Sequence, residues 1–293
     1  MPANTRDIRR RIKSIKNTAQ ITKAMQMVAA SKMRKAQSAA MAGRPYSELM
    51  NRVLRSLSKR TNPELSPLLE VRPVKKELVL VVTTDKGLCG ALNTNLLREI
   101  AQFEGKPTGY VGAGRKGVQY LARTRKELLA DFHLKDSPGL LDTKPISKFL
   151  IDKFLAGEVD RVSVLYTKFI NTLTLKPTIQ TLLPISAEDL PKPEGGAAAT
   201  EADEDDAYLE FRYEPSAPEV LAGILPHYVH FQVYQMVLNA RASEHSARMV
   251  AMKSATDNAQ QLIKDLTLEY NKIRQASITT ELLEIATAQM SLG

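Results

Sequence analysis

Tryptophan is absent from the 293 residues, and all aromatic residues together make up only 5%. With so few rings, and with abundant Ala, Met and Lys/Arg, the composition favours long helices over a compact sandwich. There is a single cysteine, Cys89, which excludes an internal disulfide and leaves no partner for a thiol switch. Four scattered histidines with that one cysteine exclude a zinc site of the usual kind. No apolar run reaches the length of a signal peptide or a bilayer span, so a soluble, intracellular chain is expected. The Arg-rich start resembles an organelle presequence superficially, but it continues unbroken into a structural helix pattern.

Acidic residues are nearly missing from the first 60 positions, where fifteen Lys/Arg face only Asp7 and Glu48. The imbalance reverses over 188–214, with ten acids against Lys192 and Arg212. The stretch 215–293 is close to balanced, with six bases and seven acids. The net charge of +9 therefore describes a positive arm rather than a uniformly basic protein. An arm held by electronegative partners and a solvated helix face both fit.

Three regions follow. Neither Gly nor Pro occurs between Thr5 and Gly43, and a helix is expected to about Leu57, kinked near Gly43 and Pro45. Its narrow stripe reads Ile8, Ile12, Ile15, then Ile21, Met25 and Val28, flanked by many alanines. A narrow seam suits a two-helix coiled coil. From about 75 to 215 strands and helices alternate. Strands are expected at 77–84, around Tyr110–Val111, at 162–167 and at 172–185, the last with a proline at or near a sheet edge. Helices are expected up to Phe103, near 118–123 and over 146–156. This alternation predicts an open, Rossmann-like α/β domain. Within it, 194–206 is acidic and low in complexity and reads as a mobile surface loop, and 207–215 could add a short last strand.

The third region, 216–293, opens a helix at Ser216 with Pro218 in its first turn, and Pro226 allows a break. Val229, Val233, Met236, Ala240, Ala247, Val250, Leu262, Leu266 and Ile273 trace its apolar stripe. Sixty-odd helical residues extend roughly 90–100 Å, so the stripe needs a partner, and the N-terminal helix is the only candidate. The expected architecture is an antiparallel coiled coil of the terminal helices with the α/β domain between them in sequence.

Chemical motifs are incomplete. The turn 85–93, DKGLCGALN, follows a strand and opens a helix, which suits phosphate binding on backbone N–H groups. It lacks the spacing GxxxxGK[ST], and GAGRKG at 112–117 does not match GxGxxG. These glycines read as permitting tight turns. His227 and His230 share a helix face without a third ligand. No catalytic set, cofactor site or metal site is expected.

Three segments carry a family resemblance: 8–37 (IRRRIKSIKNTAQITKAMQMVAASKMRKAQ), 83–96 (TTDKGLCGALNTNL) and 242–285 (ASEHSARMVAMKSATDNAQQLIKDLTLEYNKIRQASITTELLEI). They closely resemble the gamma subunit family of F-type ATP synthases. The resemblance implies a non-catalytic central stalk, the terminal helices rising inside a hexameric collar of alpha and beta subunits. It implies that the α/β domain binds the epsilon subunit and stands on the membrane c ring, so that rotation couples proton flow to ATP synthesis in the beta subunits. It places the chain peripherally on the cytoplasmic face of a bacterial inner membrane, through its partners. By the family pattern Arg274, Gln275 and Thr279 meet a beta-subunit loop with Glu284 close by. Met25, with Lys23 beside it, faces the acidic loop of a beta subunit near Arg248. Tyr213 and Glu214 belong to the foot, near the c ring and epsilon. For each residue a plain coiled-coil role also stays open.

Two other classes compete. A nucleic-acid-binding coiled coil accounts for the basic arm, but no aromatics are interleaved among its bases and the acidic stretch would repel phosphate. A nucleotide-dependent enzyme fails on motif spacing. No nucleic acid and no cofactor are expected as partners.

Overall fold

A computed structural model describes residues 5–60, 67–185 and 216–292. They fall into two compact units, one within Met1–Ser31 and Arg248–Gly293, the other within Lys32–Ala247. The expected loop 194–206 and the short strand at 207–215 lie outside the described residues.

The larger unit holds a five-stranded sheet in the order β3-β2-β1-β4-β5, with β1 at Glu77–Val82, β2 at Thr108–Ala113, β3 at Leu128–Phe132, β4 at Arg161–Phe169 and β5 at Leu175–Leu183. β1 pairs in parallel with β2 and β4, and β2 with β3, while β5 runs antiparallel on the β4 edge. Pro177 sits in that edge strand, opposite Thr167, where a missing N–H costs no central ladder bond. β1 is buried throughout, and its residues alternate between two cores. Leu78, Leu80 and Val82 face one side with α5 (Leu140–Leu155) and the first part of α6 (Ala217–Leu292). Val79 and Val81 face the other with α3 (Leu92–Arg98), the 3-10 turn Glu99–Phe103 and α4 (Arg115–Arg123). A mostly parallel sheet covered on both faces is the doubly wound arrangement the alternation predicts.

β3 was not expected. Its segment LLADF is short, carries an acid, and only its edge position lets Leu129 and Asp131 stay exposed. α5 begins six residues before the expected start at Ile146, with Pro145 inside it; the capping of Gly139 by Asp142 sets the true beginning.

α1 (Thr5–Ala42) stops before Gly43, and α2 (Arg44–Arg60) follows at once, as the Gly-x-Pro signal predicts. Gly43 faces the Gln235 amide and the Phe231 ring, and an added Cβ would fall 2.1 Å from Gln235 Nε2. α6 is continuous over 76 residues, and Pro226 lies inside it rather than breaking it.

The smaller unit is an antiparallel helix pair. Thr22 on α1 bonds Thr256 on α6, and Arg9 bonds Tyr270, so the two residue orders run in opposite senses. The seam positions, each buried or half-buried, are Ile8, Ile12, Ile15, Ala19, Thr22, Gln26 and Ala29 on α1, and Met252, Thr256, Ala259, Ile263, Leu266, Tyr270 and Ile273 on α6. Both sets alternate steps of four and three, the spacing of a coiled-coil seam. This corrects part of each expected stripe. Ile21 and Val28 are 59% and 55% exposed, and Val250 and Leu262 also lie outside the seam. Their places are taken by Ala, Thr and Gln, small or polar residues that let the backbones approach closely.

Candidate functional site

Among the described residues, the larger unit carries a feature that resembles a ligand site. In a doubly wound sheet, ligands bind beyond the C-terminal strand ends where the strand order reverses, here between β1 and β4. That crevice is lined by Thr83, Thr84, Asn93, Thr167, Arg241 and Glu244, and it is filled by the protein's own α6. The remaining space is about 10 Å³, room for a single water. No nucleotide fits.

Turn 85–90 is held from within. Asn93 Nδ2 donates to Thr84 Oγ1 at 2.8 Å and to Cys89 Sγ at 3.5 Å, and Thr84 Oγ1 donates to the Lys86 carbonyl. Cys89 is buried. Leu88 adopts a left-handed φ of 62° and is exposed, an unusual conformation for a leucine. Asp85 Oδ1 accepts the Arg115 N–H at the start of α4.

Arg241 closes the crevice. It is 4% exposed; Nη1 donates to Glu244 Oε2 at 2.7 Å, and Nη2 donates to Asp85 Oδ2 at 3.2 Å and to the Leu134 carbonyl at 2.9 Å. Burial works against the charge, but Glu244 and Asp85 outweigh it and hold the guanidinium pKa above its ordinary value. Sequence reading missed this residue because its partners lie 156 and 107 positions away. Among the described residues no group of His, Cys, Asp and Glu is arranged to hold a metal. His227 and His230 do stack edge to face, and His230 Nδ1 meets Ser147 Oγ.

The candidate beta-subunit contact residues all lie in the helix pair. Lys23 is exposed on α1, and Met25 is half-buried beside the seam. Arg248 is half-buried on α6; by the register that Thr22–Thr256 sets, it comes level with Ala30, more than a turn beyond Met25. Arg274, Gln275, Thr279 and Glu284 form a second group. They are exposed and follow Ile273, the last covered seam position, which the register sets level with the first turn of α1. From there to Met290 every described residue is exposed, including Ile278, Leu282, Leu283 and Ile285. The structure thus separates the candidates into two groups, with Arg248 and Arg274 about 39 Å apart along α6 at roughly 1.5 Å per residue. Tyr213 and Glu214 lie outside the described residues.

Comparison with known proteins gives a consistent result. A family model described as ATP synthase matches residues 4–292. The ATP synthase gamma chain of Methylacidiphilum infernorum is 53% identical, the match covering 99% of this chain and all of that one. That of Opitutus terrae is 50% identical, with 99% of each chain covered. Among solved structures, a chain of the Euglena gracilis mitochondrial ATP synthase, in an assembly of OSCP, F1 and c ring, matches with a TM-score of 0.67. It is 20% identical, with 98% of this chain and 94% of that one covered. A chain from the central stalk and c ring of the Tetrahymena thermophila mitochondrial enzyme matches with a TM-score of 0.60 and 25% identity, over 80% of this chain and 99% of that one.

Proposed function

The chain belongs to the ATP synthase gamma-chain family, and we propose that it is the turning shaft through which ion flow in a membrane c ring drives ATP synthesis at three beta subunits. It is a non-catalytic subunit, and the chemistry belongs to its partners. The observation that carries the shaft reading is the antiparallel helix pair, with its narrow 4-3 seam and its long exposed end on α6.

A shaft acts by unequal contact. A rod that met every conformation of a beta subunit with equal affinity would shift no equilibrium, however tightly it was held. This rod is unequal around its axis. Beside the seam α1 presents Lys23 with the exposed apolar Ile21 and Val28, while the end of α6 presents Arg274, Gln275, Thr279 and Glu284 among exposed leucines and isoleucines. Each angular position therefore offers a given beta subunit a different surface. In this reading Lys23, Met25 and Arg248 meet one acidic beta loop, and the 274–284 group meets another beta-subunit loop.

The collar of alpha and beta subunits, the epsilon subunit and the c ring are the proposed partners, the last two near Tyr213 and Glu214. The working division is a helix over 1–60, an α/β domain over 75–215 and a helix over 216–293. Among the described residues no helix is long and apolar enough to cross a membrane. The complex is membrane-bound, and the proposed place of this chain is the cytoplasmic face of a bacterial inner membrane.

Affinity capture of the full chain from its own cells tests the reading. Alpha and beta chains recovered in a fixed ratio, with ATP hydrolysis in the captured fraction, are the expected result. Capture of nucleic acid in their place would contradict it.

A further inference from the structure

Within six residues, α6 donates side-chain hydrogen bonds to segments at the C-terminal ends of β1, β3 and β4 and to the β4–β5 turn. Arg241 reaches Asp85 after β1 and the Leu134 carbonyl after β3. Ser243 Oγ donates to the Thr167 carbonyl in β4 at 3.0 Å, and Ser246 Oγ donates to the Thr172 carbonyl at 2.9 Å. Below this row the contact is apolar, through Val229, Val233, Met236 and Val237. Apolar burial is non-directional: it resists separation of helix and sheet far more than small rotation or sliding between them. Hydrogen bonds with fixed donors and acceptors resist both.

We infer that Arg241 is a positioning residue for rotary coupling: it locks α6 to the C-terminal edge of the sheet so that helix and α/β unit turn as one body. The inference rests on the shaft reading and deepens it. Three features single out Arg241 from the two serines. Its planar fork reaches three acceptors at once, which no other side chain in the row does. It is almost wholly buried, so water cannot substitute for the bonds. Through Asp85, whose other oxygen takes the Arg115 N–H, it fastens the start of α4 as well as turn 85–90. A residue serving stability alone needs only to neutralise Glu244; reaching Asp85 and Leu134 adds two separate parts of the sheet edge.

Arg241→Lys separates the two roles. Lysine keeps the positive charge beside Glu244 but is a point donor on a flexible stem and cannot bridge Asp85 and the Leu134 carbonyl together. The assembled complex carrying this variant is reconstituted in vesicles, and ATP hydrolysis and ATP-driven proton uptake are measured on the same sample. The expected result is wild-type assembly, hydrolysis within about twofold, and a ratio of protons moved to ATP hydrolysed reduced at least about twofold, because a looser joint dissipates torque. A second readout is the rate at which Cys89, the only cysteine, reacts with a thiol reagent in the full chain; it should rise as turn 85–90 loosens. A wild-type ratio together with unchanged Cys89 reactivity would overturn the inference. So would loss of assembly in Arg241→Lys accompanied by normal assembly and normal coupling in Arg241→Met/Glu244→Gln, since that pattern means charge balance alone matters. If the wild-type chain itself supports hydrolysis but no proton uptake, the shaft reading fails instead.

Discussion

The hydroxyls of Thr22 and Thr256 meet at 2.7 Å inside the helix pair, a polar contact buried in a seam made mostly of small and apolar side chains. Each hydroxyl also lies against a carbonyl of its own helix, Ala19 for Thr22 and Met252 for Thr256. With one proton apiece, one threonine must donate across the seam and the other to its own backbone. The pairing therefore favours one register, because a slip along the helices breaks the bond across the seam and leaves each hydroxyl only its own backbone carbonyl.

Thr22→Val or Thr256→Val alone should lower stability by about 1 kcal/mol, since each leaves a buried hydroxyl without its cross-seam partner. The double change should cost less than the two singles together, because no orphan remains. Denaturant unfolding of the four forms as a double-mutant cycle measures this, and strict additivity would show that the hydroxyls do not interact.

Gln26 occupies the next seam position, and its Oε1 is buried without a hydrogen-bond partner. Gln26→Leu should raise stability by about 1–2 kcal/mol, by relieving that desolvated acceptor and adding apolar contact. The same unfolding measurement checks it; a destabilised variant would mean the position accepts only a polar side chain.

The seam shows where sequence reading succeeds and where it stops. Ile8, Ile12 and Ile15 were legible as core because isoleucine at that spacing has few other uses. Past Ala19 the same rule selected Ile21 and Val28, which are exposed, while Thr22, Gln26 and Ala29 carry the contact. Apolar periodicity reports where hydrophobic surface lies, and a stripe kept for another molecule looks the same as one kept for the partner helix. The sheet was legible strand by strand except for β3, whose Asp131 and Leu129 make it read as loop. The Arg241 cluster had no local signal, since its members come together only when α6 crosses the strand ends.

Stability should fall as pH drops below neutrality, in part through His230. Burial, followed by Lys144 and His227, holds its imidazole below the ordinary value of 6.5. Between 6.5 and that lowered value the unfolded chain binds more protons than the folded one, so folding weakens as pH falls through this window and this group adds nothing further below it. His230→Gln should flatten that part of the pH–stability curve. An unchanged slope in the variant would assign it to other groups.

Met25→Lys tests the contact residues. In the proposed complex the new charge meets an acidic loop in only some rotary positions, and about 1.4 kcal/mol there slows escape roughly tenfold. Assembly should be retained and coupling reduced. Because Met25 is half-buried beside the seam, a purely packing role predicts the reverse: a less stable pair, poor assembly, and normal coupling in what does assemble.

Rotation of this chain against the catalytic hexamer is the motion that the shaft function requires. Leu141, 79% exposed on α5, offers an attachment point for a probe through Leu141→Cys, with Cys89 replaced by serine. With the catalytic hexamer fixed to a surface and ATP supplied, the probe should revolve in one direction in discrete steps, at a rate that follows hydrolysis. Steady ATP hydrolysis with a stationary probe would contradict the account.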